Sequence, residues 1–138
     1  MEFYQMPMFN KILVSDIEKS EKWYEKTLGF KSVFKFKNDK SEILMNHLRL
    51  EKYQDLMLIC SNNFEVGNSI YLNLLVKDIE NKSKTISPKF VVSRLEEQSW
   101  NAKEMTIKDP DGHLITLTQS NISDADFEIL MNQTSKKF

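Results

Sequence analysis

The sequence contains its own template. Sliding it along itself by 62 positions lays Ile12-Leu13-Val14-Ser15-Asp16-Ile17-Glu18 over Leu74-Leu75-Val76-Lys77-Asp78-Ile79-Glu80, with Val, Asp, Ile and Glu matching in place. At an offset of 58, Leu56-Met57-Leu58-Ile59-Cys60 falls over Leu114-Ile115-Thr116-Leu117-Thr118, two apolar runs of the kind that form buried strands. A chain that carries one folding unit twice must build two similar structures. At 138 residues it is long enough for a real core and too short for two independently cored domains with a linker. The expectation is one domain over 1–138, with a first module at 8–63, a second at 69–121 and an appended helix and tail at 122–138.

The first copy starts with a strand at 9–15, where Asn10, Ile12 and Val14 alternate with Phe9, Lys11 and Leu13. A helix follows. Ser15 and Glu18 have capping-box spacing, Ile17, Ser20, Tyr24 and Leu28 recur at helical intervals, and Gly29 supplies a left-handed stop. Three strands are predicted at 32–37, 43–52 and 55–60, giving a βαβββ unit. The second copy repeats the plan with a strand at 70–76, a helix at 79–86 ended by Pro88, and strands at 89–94, 103–108 and 113–119. Asp109-Pro110-Asp111-Gly112 closes the last hairpin, because Pro presets φ and Gly tolerates a positive one. Ile122, Ser123, Asp126 and Phe127 predict a further helix over 124–133, followed by a frayed basic tail. The fold class is α+β.

Composition narrows the partners. Nineteen Lys plus Arg against twenty Asp plus Glu leave a formal charge of -1, which gives no field for phosphate backbones or anionic lipid. No stretch approaches the roughly 20 apolar residues that span a bilayer. Cys60 is the only cysteine, so no intrachain disulfide or Cys-rich zinc motif can form, and the start lacks the pattern of a secretory signal. These features predict a cytoplasmic protein with neither nucleic acid nor membrane as partner.

Ile12-Leu13-Val14-Ser15-Asp16-Ile17, leading to Trp23-Tyr24 and Leu28-Gly29-Phe30, with Asp109-Pro110-Asp111-Gly112-His113-Leu114-Ile115 downstream, resembles the glyoxalase/bleomycin resistance protein/dioxygenase superfamily, also called vicinal oxygen chelate proteins. The resemblance covers about residues 8–120. It implies two tandem βαβββ modules whose sheets curl into a cup-shaped mixed sheet, often completed by a dimer partner. In the family's metal enzymes, His or Glu on the first and last strands of each module hold a divalent cation. Carried onto this sequence, those slots are Phe9, Leu58, Tyr71 and Thr116. Phe and Leu have no donor atom, so no metal and no cofactor is expected.

The expected function is metal-independent binding of a small, possibly aromatic, organic ligand, as in the bleomycin-resistance branch, by a homodimer. Strand alternation turns Phe9, Lys11, Leu13, Leu58, Tyr71, Asn73, Leu75, Thr116 and Thr118 toward the cup. Of these, Phe9, Lys11, Leu58, Tyr71, Asn73 and Thr116, together with Trp100 as an aromatic lid, form the candidate ligand site. No residue is assigned a catalytic role. Two bland readings stand beside it: side chains that merely fill the cup, and a non-catalytic interaction module. The enzyme-class rival is a glyoxalase- or dioxygenase-like protein with a displaced metal site. His47 and His113, the only histidines, are read as an exposed strand residue and a strand-starting residue, and Cys60 as a buried inert thiol.

Overall fold

A computed structural model describes residues 4–135, which places part of the predicted basic tail, residues 136–138, outside the described residues. Helix α1 (Ile17–Leu28) begins where the extended chain of β1 (Asn10–Val14) gives way to an Asp16 cap, whose side chain accepts from the Lys19 N–H at 3.1 Å. The cap is Asp16 and not the predicted Ser15. The Ser15 hydroxyl donates instead to Asp111, at 2.6 Å. The helix buries the predicted stripe Ile17, Ser20, Tyr24 and Leu28 and stops at Gly29, whose φ of 88° suits a residue without Cβ.

Strands β2 (Lys31–Lys37), β3 (Ile43–Glu51) and β4 (Gln54–Cys60) complete the first sheet, in the order β1-β4-β3-β2. It is a mixed sheet: β1 runs parallel to β4, and the other two pairs are antiparallel. One face carries the side chains that meet α1. Ile12 and Val14 pair with Leu58 and Cys60, and Asn46 and Leu48 pair with Leu58 and Leu56. Fully burying a large apolar side chain such as Val14, Leu48, Leu56 or Leu58 contributes roughly 1.5–3 kcal/mol.

The second sheet repeats the order as β5 (Tyr71–Leu75), β8 (Leu114–Ser120), β7 (Ala102–Lys108) and β6 (Val91–Gln98). Its helix α2 (Ile79–Thr85) is short, and a single 3₁₀ turn at Pro88–Phe90 follows where the sequence predicts the next strand to have begun. The Ile79 N–H is satisfied by the Gln119 side chain at 2.7 Å. Leu72, Leu74, Ile79, Met105, Ile107, Ile115 and Leu117 form the core of this unit. Helix α3 (Asp124–Ser135) starts as predicted, with Ser123 Oγ accepting from the Asp126 N–H, but buries none of its residues.

The chain divides into two compact units. One runs through Tyr71 and takes in Lys108–Leu114; the other is Leu72–Ile107 with the chain from Ile115 onward. The Asp109-Pro110-Asp111-Gly112 turn therefore belongs with the first module, although its sequence lies in the second. Asp109 is buried and accepts the Tyr24 hydroxyl at 2.8 Å, while its other oxygen accepts from the N–H groups of Asp111 and His113. Gly112 turns the chain with φ of 100°.

Candidate functional site

The face of each sheet turned away from its helix is the open one, and the alternation of each strand decides what lies there. In the second unit, Asn73, Glu104, Thr106, Thr116 and Thr118 occupy that face. Thr118 Oγ1 lies 2.9 Å from both Asn73 Oδ1 and Glu104 Oε2, and the Trp100 indole N–H donates to the same Glu104 oxygen at 3.4 Å. Thr106 and Thr116 share a bond at 2.9 Å. Glu104 Oε1 has no hydrogen-bond partner among the described residues. A fixed carboxylate oxygen beside an exposed indole is suited to an N–H or O–H donor on an apolar body.

Two of the predicted residues, Asn73 and Trp100, thus lie in one network, and its hub is Glu104, which the family's ligand slots do not include; Thr116 lies on the same face in its own pair with Thr106. Tyr71 is exposed and falls on the same strand face as Asn73. Phe9 is half-buried just ahead of β1, and Lys11 is exposed on the open face of the first sheet. Leu58 is a correction: it is fully buried beside Ile12, on the α1 face, and cannot line an open surface. The reason is register. Buried Leu56 and Leu58 correspond to buried Ile115 and Leu117, an offset of 59 and not 58. A slip of one residue turns every side chain to the other face.

The first sheet's open face holds a cluster that the sequence reading missed. His47, predicted as exposed, is 8% exposed, and its Nε2 lies 2.5 Å from Asp55 Oδ2. Arg49 donates to that oxygen through Nε and Nη2, both at 3.0 Å, and the Tyr4 hydroxyl donates to Oδ1 at 2.8 Å. Tyr4 in turn accepts from the Tyr53 N–H at 2.7 Å, with Tyr53 at a φ of 68° in the β3–β4 turn. Burial pushes the Asp55 carboxyl up, but the bonds from Arg49, His47 and Tyr4 outweigh it and hold the group below its ordinary 3.8. Met57 stands opposite His47, and Phe34 and Phe36 pack edge to face nearby on β2.

His113 is an anchor: its Nε2 lies 2.7 Å from the Leu13 carbonyl, and its ring stacks on Phe64. Cys60 is exposed at the end of β4, contrary to the buried thiol expected. Among the described residues no three His, Cys, Asp or Glu side chains gather as a metal would require. The four slots carried over from the family, Phe9, Leu58, Tyr71 and Thr116, do not supply such a donor set either. The residues therefore do not fit a chelated divalent cation. No helix among the described residues is long and apolar enough to cross a membrane.

No family model and no curated protein matches this sequence. Solved structures do. A member of the glyoxalase/bleomycin resistance protein/dioxygenase superfamily from Sphaerobacter thermophilus is 25% identical, with a TM-score of 0.65 over 81% of this chain and 94% of that one. TioX from Micromonospora sp. ML1 is 15% identical, with a TM-score of 0.66 over 81% and 96%. The fosfomycin resistance protein FosX from Listeria monocytogenes reaches 0.67 over 86% and 95% at only 7% identity. With its two βαβββ units and these likenesses, the chain has the fold of the glyoxalase/bleomycin resistance protein/dioxygenase superfamily.

Proposed function

We propose that this protein binds a small organic molecule without a metal, on the open face of the second sheet. The observation that carries this reading is the Glu104 network, in which Thr118 and Trp100 hold one carboxylate oxygen and leave the other available beside exposed aromatic surface. Asn73, Thr116 and Tyr71 orient the ligand, and Trp100 covers it. Phe9 and Lys11 stay in the proposal by themselves, as lining residues of the first module's own open face. Sequestration needs only such a shaped and polar-fixed surface, and FosX and the Sphaerobacter protein carry resistance in their names.

Trp100 makes the test direct, since its indole is both lid and reporter. Titrating aromatic amines and phenols should quench the indole emission saturably, with Trp100→Phe removing the signal and leaving the Trp23 contribution. Glu104→Ala should weaken binding by about tenfold or more, because a charge-assisted hydrogen bond contributes about 1.5–3 kcal/mol. A broad panel that neither quenches nor raises the melting temperature would defeat the reading.

In the same reading the protein is a cytoplasmic homodimer, with neither nucleic acid nor membrane as partner. Helix α3 supports the dimer: Phe127, Leu130 and Met131 lie at helical spacing and are 51%, 38% and 49% exposed. Sedimentation should give twice the 16.3 kDa chain mass, and Phe127→Glu with Leu130→Glu should return it to the monomer. A monomer at micromolar concentration would remove the dimer from the proposal.

A further inference from the structure

Beside the Asp55 cluster, the open face of the first sheet carries soft donors. His47 on β3 stands directly opposite Met57 on β4, and Met45 lies two residues along β3, on the same face. Cβ atoms of directly opposite residues sit about 4.5–5.5 Å apart and diagonal ones about 7–8 Å, within reach of long side chains. A methionine, unbranched and freely rotating, can bring its sulfur over such a neighbour. Both methionines are half-buried. Phe34 pairs with His47 on one side, and Phe36 and Ile59 flank Met45, so apolar groups surround the three residues. The state of His47 is set by Asp55. A carboxylate only accepts, so Nε2 carries the proton of the neutral imidazole and Nδ1 keeps its lone pair on the side of the ring away from Asp55. None of the described residues bonds to Nδ1. One ring nitrogen tied to a carboxylate and the other left as an acceptor is the arrangement of a metal-ligating histidine.

We infer that Met45, His47 and Met57 form a binding site for a soft monovalent metal ion of the Cu(I) class, held by two thioether sulfurs and Nδ1. Thioether ligands select Cu(I), whereas hard and borderline divalent ions want carboxylates and more imidazoles. The nearby carboxylate, Asp55, is engaged by Arg49, Tyr4 and His47 itself. Charge argues the same way. Lys11, opposite Met57 on β1, is exposed and repels a divalent ion about twice as strongly as a monovalent one at the same distance. The site lies within the first unit and does not depend on the Glu104 face.

The test is anaerobic titration of the full chain with Cu(I), and with Ag(I) as a redox-inert ion of the same charge and softness, against Zn(II). Methionine methyl and imidazole NMR signals report the site. Cu(I) and Ag(I) should shift the Met45, Met57 and His47 signals saturably, and Zn(II) should leave them in place. Met45→Leu and Met57→Leu conserve volume and so keep the fold. Each should weaken binding by about tenfold or more, the least that disturbing a metal's ligand shell costs. Cys60→Ser should leave binding unchanged, although its exposed thiol is the other soft donor on this sheet. Glu104→Ala should leave it unchanged too, so this site and the Glu104 face can fail separately. Binding that vanishes with Cys60→Ser, leucine variants that bind as well as the wild type, or an equal response to Zn(II) would overturn the inference.

Discussion

Asp55→Ala should destabilise the protein by about 3–5 kcal/mol, the cost of taking from a buried guanidinium and its hydrogen-bonding neighbours the carboxylate they share. The Asp55 side chain is 2% exposed, His47 11% and Arg49 14%, so water cannot readily replace what is lost. One carboxylate accepts from three side chains, and Tyr4 passes the tie on to the Tyr53 N–H in the β3–β4 turn. Removing it loosens the turn as well as the cluster. Asp55→Asn keeps the shape but loses the charge, and should fall between the two. The pH dependence follows from the lowered carboxyl. A group ionised more readily in the folded state stabilises fully above its ordinary 3.8 and loses that contribution as pH falls through the lower folded value. Urea melts at pH 7 and in steps through acid should therefore show the wild type and Asp55→Asn converging as Asp55 takes up its proton. Curves that stay parallel would mean that the cluster contributes nothing through charge.

How much of this was legible in the sequence depended on whether period or pairing decided the outcome. The stripe Ile17, Ser20, Tyr24, Leu28 and the stop at Gly29 follow from helical spacing alone, and the structure places them as read. Leu58 failed because an offset that aligns hydrophobicity along a continuous apolar run is blind to which face each residue takes; Leu56 and Met57 look alike to it. Only the strand register separates them. The Asp55 cluster was hidden for a related reason. His47 and Arg49 alternate along β3, and Asp55 lies across a tight turn from them. Folding that hairpin on paper about Lys52 and Tyr53 sets Leu50 opposite Asp55; the register shift between Arg49 and Glu51 is what brings Arg49 there, and a bulge of that kind has no signal in the residues. Tyr4 carried no such signal, since nothing in its local sequence points to a partner 51 residues away. Glu104 lies outside the family's ligand slots, and its place in the network comes from Thr118 and Trp100, neighbours across the sheet and around the turn that the sequence does not mark as partners.

The second large effect is expected at the turn that the sequence read as purely structural. Asp109→Ala should cost about 2–4 kcal/mol, because three donors lose their acceptor and one of them, the hydroxyl of the fully buried Tyr24, has no route to water. The same bond ties the turn to α1, so the Ser15 contacts with Asp111 should weaken with it. Asp109→Asn retains an oxygen for the two backbone N–H groups and should stay within about 1 kcal/mol of the wild type at neutral pH. Here the proton linkage has the opposite sign to Asp55. Burial raises the Asp109 carboxyl above its ordinary 3.8 despite the bonds from Tyr24 and the His113 and Asp111 N–H groups. The folded state therefore holds this proton more tightly than the unfolded one. Its contribution is fully present below 3.8 and declines as pH rises through the raised folded value, whereas Asp109→Asn has no such term. Denaturation of the two proteins from acid to neutral pH should show the wild type losing ground to the Asn variant over that interval. Tyr24→Phe removes one donor to the carboxylate and should move the interval upward. An unchanged interval in the Phe variant would show that the Tyr24 bond does not set the carboxyl's affinity for its proton.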